Sequence, residues 1–142
     1  MNEAITKIRS FNRFYMSSMN LLGDHYLGSR YSATEARVFY EIYENEGCNA
    51  THIAKLMNID KSYLSRIIRK HEKNGYIYRK RSSEDSRSYH LFLTDAGKNC
   101  TEDFIRKSNE EVGAIINGLS SDEVKQLTDA LETVTILLSE RK

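Results

Sequence analysis

The chain has 142 residues, the size of one domain, with 39% hydrophobic residues, seven Gly and no Pro, a composition that leans helical. No apolar run approaches the ~20 residues of a membrane span, and the first residues hold no signal-peptide apolar block, so a cytoplasmic protein is expected. Cys48 and Cys100 lie far apart, which excludes a disulfide framework and any metal-like cysteine spacing. The net charge of +1 hides a strong asymmetry. Residues 61–90 carry nine Lys and Arg against three Asp and Glu, a local +6 that leaves −5 for the remainder. A basic block in a mildly acidic chain is either a footprint for a polyanion or a solvated charged face.

Ile5, Ile8, Phe11, Phe14, Tyr15, Met19 and Leu22 recur at steps of three and four, predicting an amphipathic helix over residues 3–22. Gly23, Gly28 and Ser29 break it. Ser32 and Glu35 stand at capping-box spacing and open a second helix, whose stripe of Ala36, Phe39 and Tyr43 runs to Gly47. Asn49 caps a short third helix through Leu56, with Ile53 and Leu56 facing inward. Asn58 and Ile59 make a tight turn. Asp60 caps a fourth helix to about Asn74, with Leu64, Ile67 and Ile68 buried and Gly75 as its stop. Two short helices joined by a tight turn, the second basic, describe a helix-turn-helix.

After Gly75 the period changes. Residues 76–81 and 89–93 read as two strands around a polar turn, with Leu91 and Leu93 on one face; this hairpin with a charged tip is a wing. Thr94 caps a long fifth helix to about Gly118, and Ser120 and Glu123 form a second capping box before a last helix bearing Val124, Leu127, Leu131, Val134, Leu137 and Leu138. The fold class expected is mainly α with a small β-hairpin wing.

This organisation suits double-stranded DNA. A helix entering the major groove needs one face packed and the other polar and cationic. The outward set of the fourth helix is Lys61, Ser62, Tyr63, Ser65, Arg66, Arg69 and Lys70. Ser62, Tyr63 and Arg66 lie near the end that reaches base edges, and Lys61, Arg69 and Lys70 suit phosphates. Thr51 and His52, opening the third helix, are further phosphate candidates. At the wing tip a lone Arg87 fits the negative potential of a narrow minor groove, with Asp85 placed to orient it; the alternative is an ordinary surface ion pair.

On these residues the sequence resembles the MarR family of winged-helix regulators. Asp85-Ser86-Arg87, then Leu91, Leu93-Thr94 and Gly97, match its wing signature, and Ser32-Ala33-Thr34-Glu35 and Ile53-Ala54-Lys55-Leu56 support it. The resemblance spans essentially all of residues 1–142 as a single MarR-like unit. It implies a winged helix-turn-helix lobe over 32–93 and a helical dimerisation region over 1–22 and 95–142. It implies a homodimer, with Ile5, Ile8, Ile115, Leu119, Leu127, Leu131, Val134 and Leu138 at the subunit interface. It also implies Arg87 at the minor groove with Asp85 as partner. Arg9 to Tyr15, Thr34 to Val38 and Tyr63 to Arg66 more narrowly resemble the DNA-binding half of MarR–GNAT acetyltransferase fusions, but no glycine-rich pyrophosphate loop follows, so acetyltransferase activity is not implied. His71 stands where the family usually has Leu, as a satisfied, partly buried His or as a pH-sensitive brace.

Phe11, Tyr15, Met19, Arg37 and Tyr40 fall where the family often binds a small effector, here an aromatic or anionic one; the alternative is dimer core. Cys100 reads as a core residue and Cys48 as an exposed loop thiol. The four His do not cluster with Cys, Asp or Glu, and no nucleophile–base motif stands out, so no metal, cofactor or catalytic residue is expected. The reading is a sequence-specific DNA-binding regulator, a repressor acting as a homodimer on a pseudo-palindromic operator. The rivals are a winged-helix module for protein contact and the regulatory half of a split acetyltransferase.

Overall fold

The computed structural model describes residues 2–84 and 88–139. The elements run α1 (Asn2–Ser18), a 3-10 turn (Tyr26–Gly28), α2 (Ala33–Glu44), α3 (Ala50–Met57), α4 (Lys61–Lys73), β1 (Ile77–Arg81), β2 (Tyr89–Leu93), α5 (Asp95–Ile116) and α6 (Ser121–Ser139). The chain divides into two compact units, residues 1–105 and 106–142.

The first unit holds the helix-turn-helix and wing, and side-chain caps place its helices. At α2, Glu35 N–H donates to Ser32 Oγ at 3.1 Å and Ser32 N–H donates to Glu35 Oε1 at 3.1 Å, the full capping box. Asn49 Oδ1 accepts from His52 N–H at 2.9 Å to start α3, and Asp60 accepts from Tyr63 N–H to start α4. Each such cap satisfies a backbone donor otherwise lost and stabilises by about 1 kcal/mol. Asn58 turns the chain between α3 and α4 in the left-handed region, at φ 52°, which a short polar side chain tolerates better than most.

The core beneath these helices is Val38, Phe39, Ile42, Ile53, Leu64, Ile67, Ile68, Ile77, Leu91 and Leu93, with Tyr31 and Phe104 closing one end. Strands β1 and β2 pair antiparallel in the register Ile77↔Leu93, Arg79↔Leu91, Arg81↔Tyr89. The period of two therefore sends Ile77, Leu91 and Leu93 inward together. The loop before α3 adds to the outer edge of β2: Leu91 N–H donates to Cys48 O at 2.8 Å and Gly47 N–H to Leu91 O at 2.9 Å. This pairing satisfies backbone groups of an edge strand and ties the wing to the start of the helix-turn-helix.

Three expectations change. The first helix stops at Ser18 and not at residue 22, because the chain turns through Asn20 at φ 54°. Leu56 is 47% exposed; Met57, one position on, packs against the core in its place. Cys48 is half-buried and not an exposed thiol, and burial pushes its pKa up, away from the reactive thiolate.

In the second unit, Ser120 and Glu123 make the expected capping box of α6, at 2.9 and 3.1 Å. Leu127, Leu131, Val134, Ile136, Leu137 and Leu138 along α6 are all exposed. In α1, Ile5, Ile8, Phe11 and Phe14 are exposed too. Fully burying an apolar side chain of this size is favourable by roughly 1.5–3 kcal/mol, so these exposed stripes favour a covering partner.

Candidate nucleic-acid interface

Helix α4 divides as its sequence requires. Leu64, Ile67, Ile68 and His71 are buried, while Lys61, Ser62, Tyr63, Arg66, Arg69 and Lys70 are exposed and Ser65 is half-buried. At its start the Ser62 hydroxyl donates to the Asp60 carboxylate, the same group that caps Tyr63 N–H. These hydrogen bonds, from the Ser62 hydroxyl first, hold the Asp60 carboxyl below the usual carboxylate range. Asp60 is thus a fixed anion at a helix N-terminus, where the dipole favours it. The Arg66 guanidinium lies over the Tyr63 ring, 5.7 Å from its centroid, which orients one cation on the open face of the helix.

Beside α4 lies a crevice of about 420 Å³, walled by Asn49, Thr51, Lys61, Ser65, Arg69 and Arg79, with Ile68 and Leu91 among its lining. It brings together four of the residues expected to contact DNA, two of them cations, with the N-terminal turn of α3. It adds Arg79, which the sequence marks only as one of the nine basic residues of 61–90. Arg79 lies over the Tyr89 ring at 4.8 Å and its Nε donates to Glu72 Oε2 at 2.9 Å. Arg81 donates to the Tyr89 hydroxyl at 3.1 Å. The alternation of β1 could have revealed this: residues 79 and 81 share the face of Tyr89 in the pleat.

Thr51 and His52 are exposed in the first turn of α3. Lys70 is exposed but occupied, its Nζ 3.0 Å from Glu35 Oε2. Asp85 and Arg87 lie outside the described residues. Among the residues expected to meet an effector, Phe11 and Tyr15 lie ring to ring at 5.4 Å, Met19 is half-buried and Tyr40 is exposed. The Arg37 Nε donates to Glu41, a largely buried carboxylate that also accepts from Asn45 Nδ2.

His71 is fully buried, beyond the partial burial expected, and only half satisfied. Its Nε2 lies 2.7 Å from Glu35 Oε2, while Nδ1 has no partner. Around it stand Tyr31, Phe39 and Tyr76, at ring-centroid distances of 5.1, 4.7 and 6.2 Å. Burial lowers its pKa against the opposing pull of Glu35. The cluster was not legible beforehand, because Tyr31 lies in a loop and Phe104 comes from α5.

A capped helix pair, a basic second helix and an antiparallel hairpin directly after it define a winged helix-turn-helix protein. The MarR family model matches residues 31–89, the lobe just described. The transcriptional regulator BilQ of Clostridioides difficile is 29% identical over 106 residues, covering 73% of this chain and 72% of that protein. Among solved structures, Streptococcus pneumoniae FabT in complex with DNA is 26% identical with a TM-score of 0.74, covering 99% of this chain and 96% of that one. A mutant MarR from E. coli complexed with operator DNA shares the fold at a TM-score of 0.77 and 22% identity, covering 94% of this chain and 96% of that one. Residues 31–89 are thus similar to the MarR family's winged-helix lobe, and the chain is similar to known transcriptional regulators over most of its length.

Proposed function

We propose that this chain is a cytoplasmic, homodimeric regulator that binds a pseudo-palindromic operator in double-stranded DNA and represses transcription. The observation that carries it is the two-sided α4, packed on Leu64, Ile67 and Ile68 and open along Lys61, Ser62, Tyr63, Arg66 and Arg69. In the major groove Arg66, Tyr63 and Ser62 reach base edges. Lys61, Arg69 and the α3 residues Thr51 and His52 hold phosphates, which fix register without reading sequence. Lys70 joins them when released from Glu35. The wing carries Arg87, with Asp85, to the flanking minor groove.

The exposed apolar residues of α1, α5, α6 and the turn between the last two (Ile5, Ile8, Ile115, Leu119, Leu127, Leu131, Val134 and Leu138) form the subunit interface. Two-fold symmetry then spaces the half-sites about one helical turn apart. Phe11, Tyr15, Met19, Arg37 and Tyr40 receive a small aromatic or anionic effector. The DNA complex of FabT supports the DNA reading by likeness.

A gel shift on the chain's own upstream intergenic DNA, competed with scrambled DNA of the same composition, tests it. Retention of the shift under competition supports the reading. Equal loss to both competitors contradicts sequence-specific binding.

A further inference from the structure

Two donors meet on one oxygen behind the DNA-facing helix. Glu35 Oε2 lies 3.0 Å from Lys70 Nζ and 2.7 Å from His71 Nε2, while Oε1 is taken by the backbone of Ser32. The two donors differ in kind. Lys70 is an ammonium group on a side chain 55% exposed; His71 is fully buried and can exist with or without charge. We infer that Glu35 is an exchange point: when Lys70 leaves it for a DNA phosphate, His71 takes up a proton, so DNA binding by this chain is coupled to protonation of a buried histidine. The inference rests on the DNA-binding reading above.

The coupling follows from which charges face the imidazole. From α2 comes Glu35, and from α4 itself comes Lys70. Tyr31 and Tyr76 present neutral phenols, with Arg30 over the Tyr31 ring at 5.9 Å, and α5 adds the uncharged ring of Phe104 to the same cluster. While Lys70 sits on Glu35, the carboxylate is already neutralised and a second cation beside it is repelled. A phosphate that draws Lys70 away removes that repulsion and leaves the carboxylate with the imidazole as its one ionisable partner. Both changes favour imidazolium. The added proton sits on Nδ1, the ring nitrogen that has no acceptor. It is received among the rings of Phe39 and Tyr31, with centroids at 4.7 and 5.1 Å, by cation–π attraction. Glu35 is also the capping residue of α2, so it does not follow Lys70 outward. Glu35 and His71 are positioning residues, acting on DNA only through Lys70.

By linkage, a complex that binds more protons than its parts tightens as pH falls, with a limit of about tenfold per unit of pKa difference. The test is calorimetric titration of the full-length protein with its upstream intergenic DNA, in two buffers of different ionisation enthalpy, between pH 6 and 7.5. A His52→Gln background removes the exposed imidazole at the start of α3. The expected result is net proton uptake and an affinity about three- to tenfold higher at pH 6 than at pH 7.5. His71→Leu removes both. Lys70→Met, on the exposed side of the pair and independent of any folding defect at position 71, loses one phosphate contact and so binds DNA more weakly, and what binding remains takes up no proton. Proton uptake that persists undiminished in either variant overturns the inference. Absence of DNA binding by every protein at every pH would instead contradict the functional reading on which it rests.

Discussion

Gly97 and Tyr76 are in direct backbone contact: a Cβ at position 97 would overlap the carbonyl oxygen of Tyr76 and approach Leu93 Cβ to 3.3 Å. The same junction is stitched by Thr94, whose Oγ1 donates to Gly75 O at 2.7 Å and accepts from Gly97 N–H at 3.1 Å. The end of α4, the base of the wing and the start of α5 therefore meet where only hydrogen fits. Gly97→Ala is expected to force these elements apart and destabilise the protein by about 1–3 kcal/mol, the usual range for overpacking. Thermal denaturation of the variant checks this, and an unchanged melting temperature would show that the junction yields freely.

The Glu35 cluster makes stability depend on pH in two steps. Burial alone would raise the Glu35 carboxyl pKa, but hydrogen bonds from Ser32 N–H, Lys70 and His71 bring it below the usual value. A depressed carboxyl stabilises the fold above its unfolded pKa, and that contribution is lost as pH falls through the folded one. His71 is also depressed, chiefly by burial. Below its ordinary value of 6.5 the unfolded chain binds a proton that the fold does not, so stability declines first from there. Chemical denaturation from pH 7.5 to 4 is expected to show a decline in mild acid that His71→Leu abolishes. A deeper, more acid decline is expected to flatten in Glu35→Gln, which at neutral pH costs about 1–3 kcal/mol by leaving its donors short of a charged acceptor.

The proposed DNA binding gives Arg66 and Arg87 separable duties. Arg66→Ala removes the oriented cation over Tyr63, with an expected cost of about 1–3 kcal/mol in operator binding and relaxed preference at one base pair of each half-site. Arg87→Ala is expected to weaken binding while changing preference only in the flanking sequence, where minor-groove width matters. Selection of binding sites from a randomised library with each variant distinguishes the two. Identical changes in preference would remove the division of labour.

The apolar stripe of α6 predicts the oligomeric state. Leu131→Glu, at a position 39% exposed in the single chain, is expected to convert dimer to monomer and to abolish operator binding with it. Light scattering gives the mass, and a variant that remains dimeric would move the interface elsewhere.

Local rules made most of the fold legible. Ser32, Asn49, Asp60, Thr94 and Ser120 each stand at a helix start where a hydroxyl, amide or carboxylate oxygen can reach back to the backbone. The period switch after Gly75 set the strands of the wing. What stayed hidden depends on distance in sequence. Glu35 reads as a capping residue and Lys70 as a phosphate ligand, and neither role reveals that α2 packs so that one carboxylate serves Lys70 and His71, some 35 residues further on. Tyr31 falls between the first two predicted helices, where no periodicity marks it, yet its ring is part of the core. Leu56 and Met57 show the same limit on a smaller scale, since an eight-residue helix leaves the period too short to choose between neighbours.

The proposed function stands on the α4 face binding DNA through its phosphates and base edges. Fluorescence anisotropy on labelled upstream intergenic DNA across a salt series tests it most directly. The logarithm of affinity is expected to fall linearly with the logarithm of salt, because phosphate contacts release counterions, and Arg69→Ala to reduce the slope by about one. An affinity independent of salt, or no binding to that DNA and none to a random genomic pool, would contradict it and leave the basic face to a protein partner.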